Sequence, residues 1–168
     1  MTVRLATAAD IDPLFQLWCQ LMDQHQAYHP VFGYHAAAGF RLKQALRERL
    51  QETRTRVFVA DMVGADGLAG LLLATYQTAS SGMHYFRRGY IAETIVVEAY
   101  RRQGLGQALF GAAKTWLISE GADHLELQVA VQNLAALRFW QAQGFGVTTQ
   151  HLMLPLQPPP GAPATPGA

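Results

Sequence analysis

The sequence predicts an α/β domain on a mixed sheet, and three observations carry the prediction. Apolar spacing follows the order strand, two helices, three strands, helix, strand, helix, strand. The 168 residues are half apolar, enough for one compact domain with its own core. Residues 89–106, GYIAETIVVEAYRRQGLG, run from a strand through a short basic turn into two glycines that open a helix.

Ile11, Leu14, Phe15, Trp18, Leu21 and Met22 recur at helical spacing behind Asp10, a suitable N-cap, and Pro30 ends that helix. A second helix is expected over 39–52, with Phe40, Leu42, Ala45, Leu46 and Leu50 facing inward. The segment between them, HQAYHPVFGYHAAAG, is rich in aromatics and histidine for a loop. Residues 57–61 and 67–77 read as an antiparallel hairpin joined through Val63-Gly64-Ala65-Asp66-Gly67, and a polar loop with Ser80-Ser81-Gly82 follows.

Tyr90 to Val97 is β-branched and aromatic, hence a strand. Leu105, Ala108, Leu109, Ala112, Ala113, Trp116 and Leu117 then mark one helical face. Leu125, Leu127, Val129 and Val131 alternate as a strand, Asn133 caps a short helix with Gly144 at its C′ position, and 147–156 is expected as a final strand. Residues 1–156 are read as the domain. The Pro/Gly/Ala-rich stretch 157–168 buries too little to offset ordering entropy and is expected to be disordered.

The chemistry concentrates where the Tyr90–Val97 strand meets Gly104 and Gly106. The first N–H groups of a helix have no partner within it and sit at the positive end of its dipole, so a phosphate is favoured there. Glycine adds no Cβ to hold a ligand away, and Arg101 and Arg102 offer charge-assisted bonds to the same anion. A P-loop is excluded because no Gly-Lys-Ser or Gly-Lys-Thr follows. The dinucleotide fingerprint fits poorly because its third glycine falls on Leu109. An ordinary strand-to-helix turn with solvated arginines is the alternative reading of this segment alone.

Arg101-x-x-Gly104-x-Gly106 after Ile95-Val96-Val97 resembles the acetyl-CoA motif of the GNAT superfamily of N-acetyltransferases. Asn133-x-x-Ala136-x-x-Phe139-Trp140-x-x-x-Gly144-Phe145 resembles the family's later block. Val3-Arg4-Leu5-Ala6-Thr7 with Asp10-Ile11 is similar to its first strand and helix. Glu98 stands where the family often has proline, and Trp140 where it often has tyrosine.

The resemblance implies a single GNAT-like domain, its sheet mostly antiparallel and flanked by helices, with a splayed central strand pair. It implies acetyl-CoA as acyl donor, with the pyrophosphate at Arg101, Arg102, Gln103, Gly104, Leu105, Gly106, Gln107 and Ala108. Ile95, Val96 and Val97 would meet the pantetheine arm, one freed N–H serving as oxyanion donor, and Asn133 and Phe139 complete the cofactor side.

Transfer to a primary amine needs a base, because an amine of pKa about 10.4 is protonated near neutrality. Glu93 is the first choice, an acid inside an otherwise uncharged run; the alternative is that it pairs with Arg87 or Arg88. Glu98 is the second choice. Trp140 donates a hydrogen bond but no proton, so it either packs against the pantetheine and thiol end or is a core aromatic. A separate acid, if one exists, would be Tyr85, Tyr90 or Tyr100.

On the acceptor side Tyr28, His29, Phe32, Tyr34 and His35 either line the cleft or pack over it. His25 and His29 stand at i and i+4, but Gln26 replaces the glutamate of a zinc-protease helix and no third ligand is identified, so no metal is expected. A net charge of +1 argues against a nucleic-acid partner, and Arg47, Arg49, Arg54 and Arg56 read as the solvated face of a helix. The single cysteine, Cys19, excludes an intrachain disulfide. No leader or membrane segment is read, so a cytoplasmic protein is expected. Homodimers are common among proteins of this resemblance, though no residue here specifies one. The competing classes are a non-catalytic acyl-CoA sensor and a nucleotide-binding protein unrelated to CoA.

Overall fold

The computed structural model describes residues 1–61, 67–79, 82–154 and 156. The hairpin connection through Val63 to Asp66, Ser80-Ser81 and the tail 157–168 lie outside the described residues.

A five-stranded sheet holds β1 (Thr2–Leu5), β2 (Thr55–Asp61), β3 (Gly70–Thr78), β4 (Arg87–Val96) and β5 (His124–Leu127) in sequence order. β1 to β4 pair antiparallel, and β4 pairs with β5 in parallel. Helices α1 (Ile11–Tyr28) and α2 (Gly39–Gln51) cover one face; α3 (Leu105–Ser119) and α4 (Leu134–Ala142) cover the other.

Alternation along the strands feeds two cores. Val57, Val59, Leu71 and Leu73 meet Leu14, Leu17, Leu21 and Leu46 on the first face, while Phe58, Ala60, Leu72 and Ala74 meet Leu105, Leu109, Ala113 and Leu117 on the second. Arg4 ties the sheet to the start of α1 by donating to both Asp10, at 2.8 and 2.9 Å, and Asp61, at 2.7 and 3.2 Å. Asp10 therefore uses its carboxylate on Arg4 and on the Thr7 N–H rather than as a side-chain cap of α1.

One irregularity matters for the site. Opposite Leu73/Ala74 the ladder steps from Glu93 to Ile91, so Ala92 is an extra residue in β4. Ile91 consequently faces the α3 core while Glu93, two residues on, faces α1 and α2 with Leu73.

Three expectations need correction. Residues 145–154 contain no strand: Phe145 is held by its bond to the Trp140 carbonyl, but Leu152 and Leu154 beyond it are 88% and 80% exposed. Composition favoured a strand there, yet a strand exists only with a partner, and no ladder reaches the outer edge of β5 among the described residues. Phe40 is 80% exposed because six residues separate it from the buried Leu46, about 120° around the helix. Of the four arginines, only Arg47 and Arg49 lie on α2; Arg56 is on β2, with its guanidinium over Trp116.

Candidate active site

β5 pairs with β4 from Arg88 to Ile91 and then stops, so Ala92 to Val96 has β3 on one side and no strand on the other. This is the expected splay, and it opens at the Ala92 bulge. Val97 donates to the Ala69 carbonyl at 2.9 Å. In an antiparallel ladder alternate residues point their polar groups at the partner, so Ile95 and Val97 are committed to β3 and Val96 turns its N–H and C=O toward the gap. Of the three residues expected to meet a ligand through their backbone, Val96 is the one so placed.

The turn after β4 is held in a special conformation. Arg102 has φ 59° and Gly104 φ 81°, and Gly104 is the N-cap of α3. The N–H groups of Leu105, Gly106 and Gln107 form the open first turn, whereas Ala108 already donates to the Gly104 carbonyl at 2.9 Å. Ala108 therefore drops out as an anion donor.

A Cβ on Gly106 would lie 3.3 Å from the Phe139 ring, so glycine lets α4 close against the start of α3. Arg101 folds back: its Nε donates to the Val96 carbonyl at 2.9 Å, and Nη2 reaches Gln24 Oε1 of α1 at 3.5 Å. Arg102 is exposed, and Gln103 donates to the Ala99 carbonyl at 3.2 Å. Asn133 caps α4 by accepting from the Ala136 N–H at 3.1 Å.

Does this cleft suit a thioester donor with an amide-bearing arm and a pyrophosphate? Beside the splay, the hydroxyl of Thr94 is buried without a hydrogen-bond partner among the described residues. Thr94 lies opposite Leu72, on the α3 side of the sheet. Buried polar atoms in folded proteins are almost always paired, so an orphan next to an unpaired strand stretch fits a ligand that carries polar groups. The open α3 turn and the Val96 backbone fit the same ligand.

On the opposite face Glu93 accepts a hydrogen bond from Trp18 Nε1 at 3.3 Å. Burial raises its proton affinity above the ordinary carboxylate value, against the smaller opposing effects of Trp18 and the Arg49 charge. Pairing with Arg87 or Arg88 does not occur: Arg87 bonds the Glu120 carbonyl, and Arg88 bonds Glu126 and Gln77. Glu98 is exposed.

Trp18 also meets Tyr34 edge-on, with ring centroids 5.3 Å apart. Tyr34 donates to Asp23 at 3.2 Å; Cys19 foremost, then burial and Asp23, push its phenol up to about 12. His25 stacks on Phe32, with centroids 5.4 Å apart, and burial lowers its proton affinity. His29 accepts from the Val31 N–H at 3.1 Å, shaping the turn, and Tyr28 ends α1. No group of three metal-binding side chains occurs among the described residues.

Trp140 lies in a core. It is 7% exposed and packs against Phe110, Phe139 and Phe145 at centroid distances of 5.4, 4.8 and 5.5 Å. Its aromatic surface is spent on the α3/α4 core, the second of its two readings. Tyr85 precedes β4, at the end of the strand remote from the splay, and rests on His124.

Two site residues escaped the sequence reading. Trp18 stands in the inner stripe of α1, although an acid on an apolar facing strand calls for just such a donor. Thr94 carried no sequence signal.

The family model described as "Acetyltransferase (GNAT) family" matches residues 18–145. N-alpha-acetyltransferase 30 of Schizosaccharomyces pombe is 38% identical over 58 residues, 34% of this chain and 39% of that protein. The human protein of that name is 37% identical over 60 residues, 36% of this chain and 17% of its own. The matches thus span well under half of these relatives.

Among solved structures, a tetramutant of the BH1408 protein from Bacillus halodurans superposes with TM-score 0.80 at 22% identity, covering 93% of this chain and 100% of that one. AAC(6')-Iy in complex with the bisubstrate analog CoA-S-monomethyl-acetylneamine gives 0.71 at 20%, over 93% and 97%. The latter two establish a shared fold. With the family match spanning most of the described residues, and with the splay, the glycine turn and the Asn133 cap in place, the chain belongs to the acetyltransferase (GNAT) family.

Proposed function

We propose that the chain is an acetyl-CoA-dependent N-acetyltransferase that passes an acetyl group to a primary amine of a small molecule or peptide by direct attack in a ternary complex. The carrying observation is that one strand, β4, presents Val96 backbone to the splay and the half-buried Glu93 to the opposite face, three residues apart.

In this reading the pyrophosphate meets the N–H groups of Leu105, Gly106 and Gln107, with Arg102 beside them and Arg101 within reach. The Val96 N–H, or that of Thr94, polarises the thioester carbonyl. Glu93 takes the amine proton directly or through water, and its raised proton affinity brings it nearer the working pH, where a base is most effective. The C–N bond forms, the C–S bond breaks, and the thiolate, of pKa about 8.5, leaves without an acid. Tyr34, Tyr28, His29 and Phe32 form the acceptor wall.

The names that these proteins carry, N-alpha-acetyltransferase 30 and, for AAC(6')-Iy, aminoglycoside N-acetyltransferase, support an amine acceptor. Residues 1–156 are assigned to the domain, and the protein to the cytoplasm. Calorimetric titration with acetyl-CoA, with dephospho-CoA and ATP as controls, followed by thiol release across a panel of amines and peptides, tests the proposal. Turnover with an amine supports it. Binding without turnover points instead to a sensor, and absence of binding removes the reading.

A further inference from the structure

The geometry points to Trp18 as a positioning residue for Glu93: its indole N–H orients the carboxylate and links it to the acceptor wall through Tyr34. This rests on the reading of Glu93 as the base.

Three observations carry it. Glu93 lies on a face otherwise built of Leu14, Leu17, Leu21, Leu71, Leu73 and Ile95, and a carboxylate in such surroundings ionises only if a donor reaches it. Among the described residues, the side-chain donor that reaches it is Trp18 Nε1, at 3.3 Å to Oε1. The same indole stands edge-on to Tyr34 at 5.3 Å, so a displacement of the connection between α1 and α2 is felt at the ring that holds the carboxylate.

The choice of donor has a chemical consequence. An indole N–H donates and neither accepts nor titrates in the working range, so it favours the ionised carboxylate without competing for the amine's proton. A lysine or arginine at that distance would make the carboxylate too weak a base, and loss of the donor would make it hold its proton more tightly.

The other groups around Glu93 do not duplicate this. From α2, Arg49 acts through its charge while its side chain, half exposed, turns to Glu52 at 3.6 Å. From α1 and the following connection, Tyr34 donates to Asp23 beside Cys19 and stays protonated. From β3, the residue opposite is Leu73, which does not titrate.

The test is the pH dependence of kcat/KM in Trp18→Phe, which keeps a ring against Tyr34 and removes the N–H. Losing a hydrogen bond to a charged carboxylate should move the acid limb upward by about one pH unit, leaving KM for acetyl-CoA unchanged. Glu93→Gln should abolish the limb. If Glu93→Gln abolishes it and folded Trp18→Phe leaves it where it was, the positioning role is overturned while Glu93 stands as the base. If Glu93→Gln keeps the limb, the base reading fails and the role of Trp18 with it.

A measurement on the unaltered chain guards against a variant that does not fold. The Trp18 indole N–H resonance should titrate with Glu93, and Glu93→Gln should flatten it. An indole resonance indifferent to pH overturns the inference.

Discussion

Arg101 Nε donates to the carbonyl of Val96 at 2.9 Å, so the first arginine of the turn is fastened to the strand end that borders the splay. Arg102, with φ 59°, is exposed beside the open turn of α3. The two arginines should therefore fail differently when removed. Arg102→Ala should weaken acetyl-CoA binding about ten-fold at low salt, with the loss shrinking as salt is added, and should leave the melting temperature unchanged. Arg101→Ala should cost about 1 kcal/mol of stability as well as affinity, because a bond to backbone is lost. Calorimetry at two ionic strengths and thermal melts separate these outcomes.

Thr94→Val replaces a buried, unpartnered hydroxyl by a methyl of the same shape. The free protein should melt at the same or a higher temperature, since the orphan's desolvation cost of about 1–3 kcal/mol disappears. Affinity for acetyl-CoA should fall about five-fold, whereas 3′,5′-ADP, which lacks the arm, should bind as before. Equal affinity of Thr94→Val and the unaltered protein for acetyl-CoA would show that the hydroxyl does not meet the donor.

Glu93→Gln should trade activity for stability. Burial raises the folded-state proton affinity of Glu93, so the native state holds its proton more tightly than the unfolded chain does. Its contribution is then complete below the unfolded carboxylate value and declines as pH rises through the folded one. At neutral pH the amide removes that penalty. We expect a higher melting temperature at pH 7, a gap that narrows toward pH 4, and a fall in kcat/KM of about 10²–10⁴-fold.

Asp10 works in the opposite sense. Its hydrogen bonds from Arg4, ahead of the opposing cost of burial and aided by Thr7, hold its carboxyl well below the ordinary aspartate range. The stability it contributes is present above the unfolded value and is lost as pH falls through the folded one. Asp10→Asn should therefore destabilise the protein near pH 7 and flatten the acid limb of its stability profile. Arg4→Ala, which strands a buried carboxylate, should cost about 2 kcal/mol in urea unfolding.

Trp140→Phe should retain most of kcat, and Trp140→Ala should lose about 3–5 kcal/mol of stability, because the side chain fills the α3/α4 core. A selective loss of kcat in the phenylalanine variant, with stability intact, would return Trp140 to the reacting end.

Most of the fold was legible because periodicity records burial. The inner stripe of α1, the alternation in β2 and β3 and the glycine turn before α3 each stand in one stretch of chain. The site was legible where function falls on backbone, as at Val96 and Gly104, since motif spacing fixes backbone position. It was illegible where function depends on what lies opposite. Trp18 and Glu93 are 75 residues apart, and nothing local to either announces the hydrogen bond. The fate of Trp140 was likewise set by Phe110 and Phe145, neighbours brought by another helix and the following loop. The strand expected over 147–156 failed for a related reason: propensity is local, but a ladder needs a second edge.

Ala92 does more than loosen β4. It works as a frame-shift in three dimensions, exchanging which of the two cores receives every side chain on one side of it. Were Ala92 taken into the ladder as a regular residue, Ile91 and Glu93 would fall on one face, and either the glutamate would swing into the α3 core or Ile91 out of it. Whether a carboxylate in this sheet is a packing defect or a base is thus decided by one residue that stands outside the ladder.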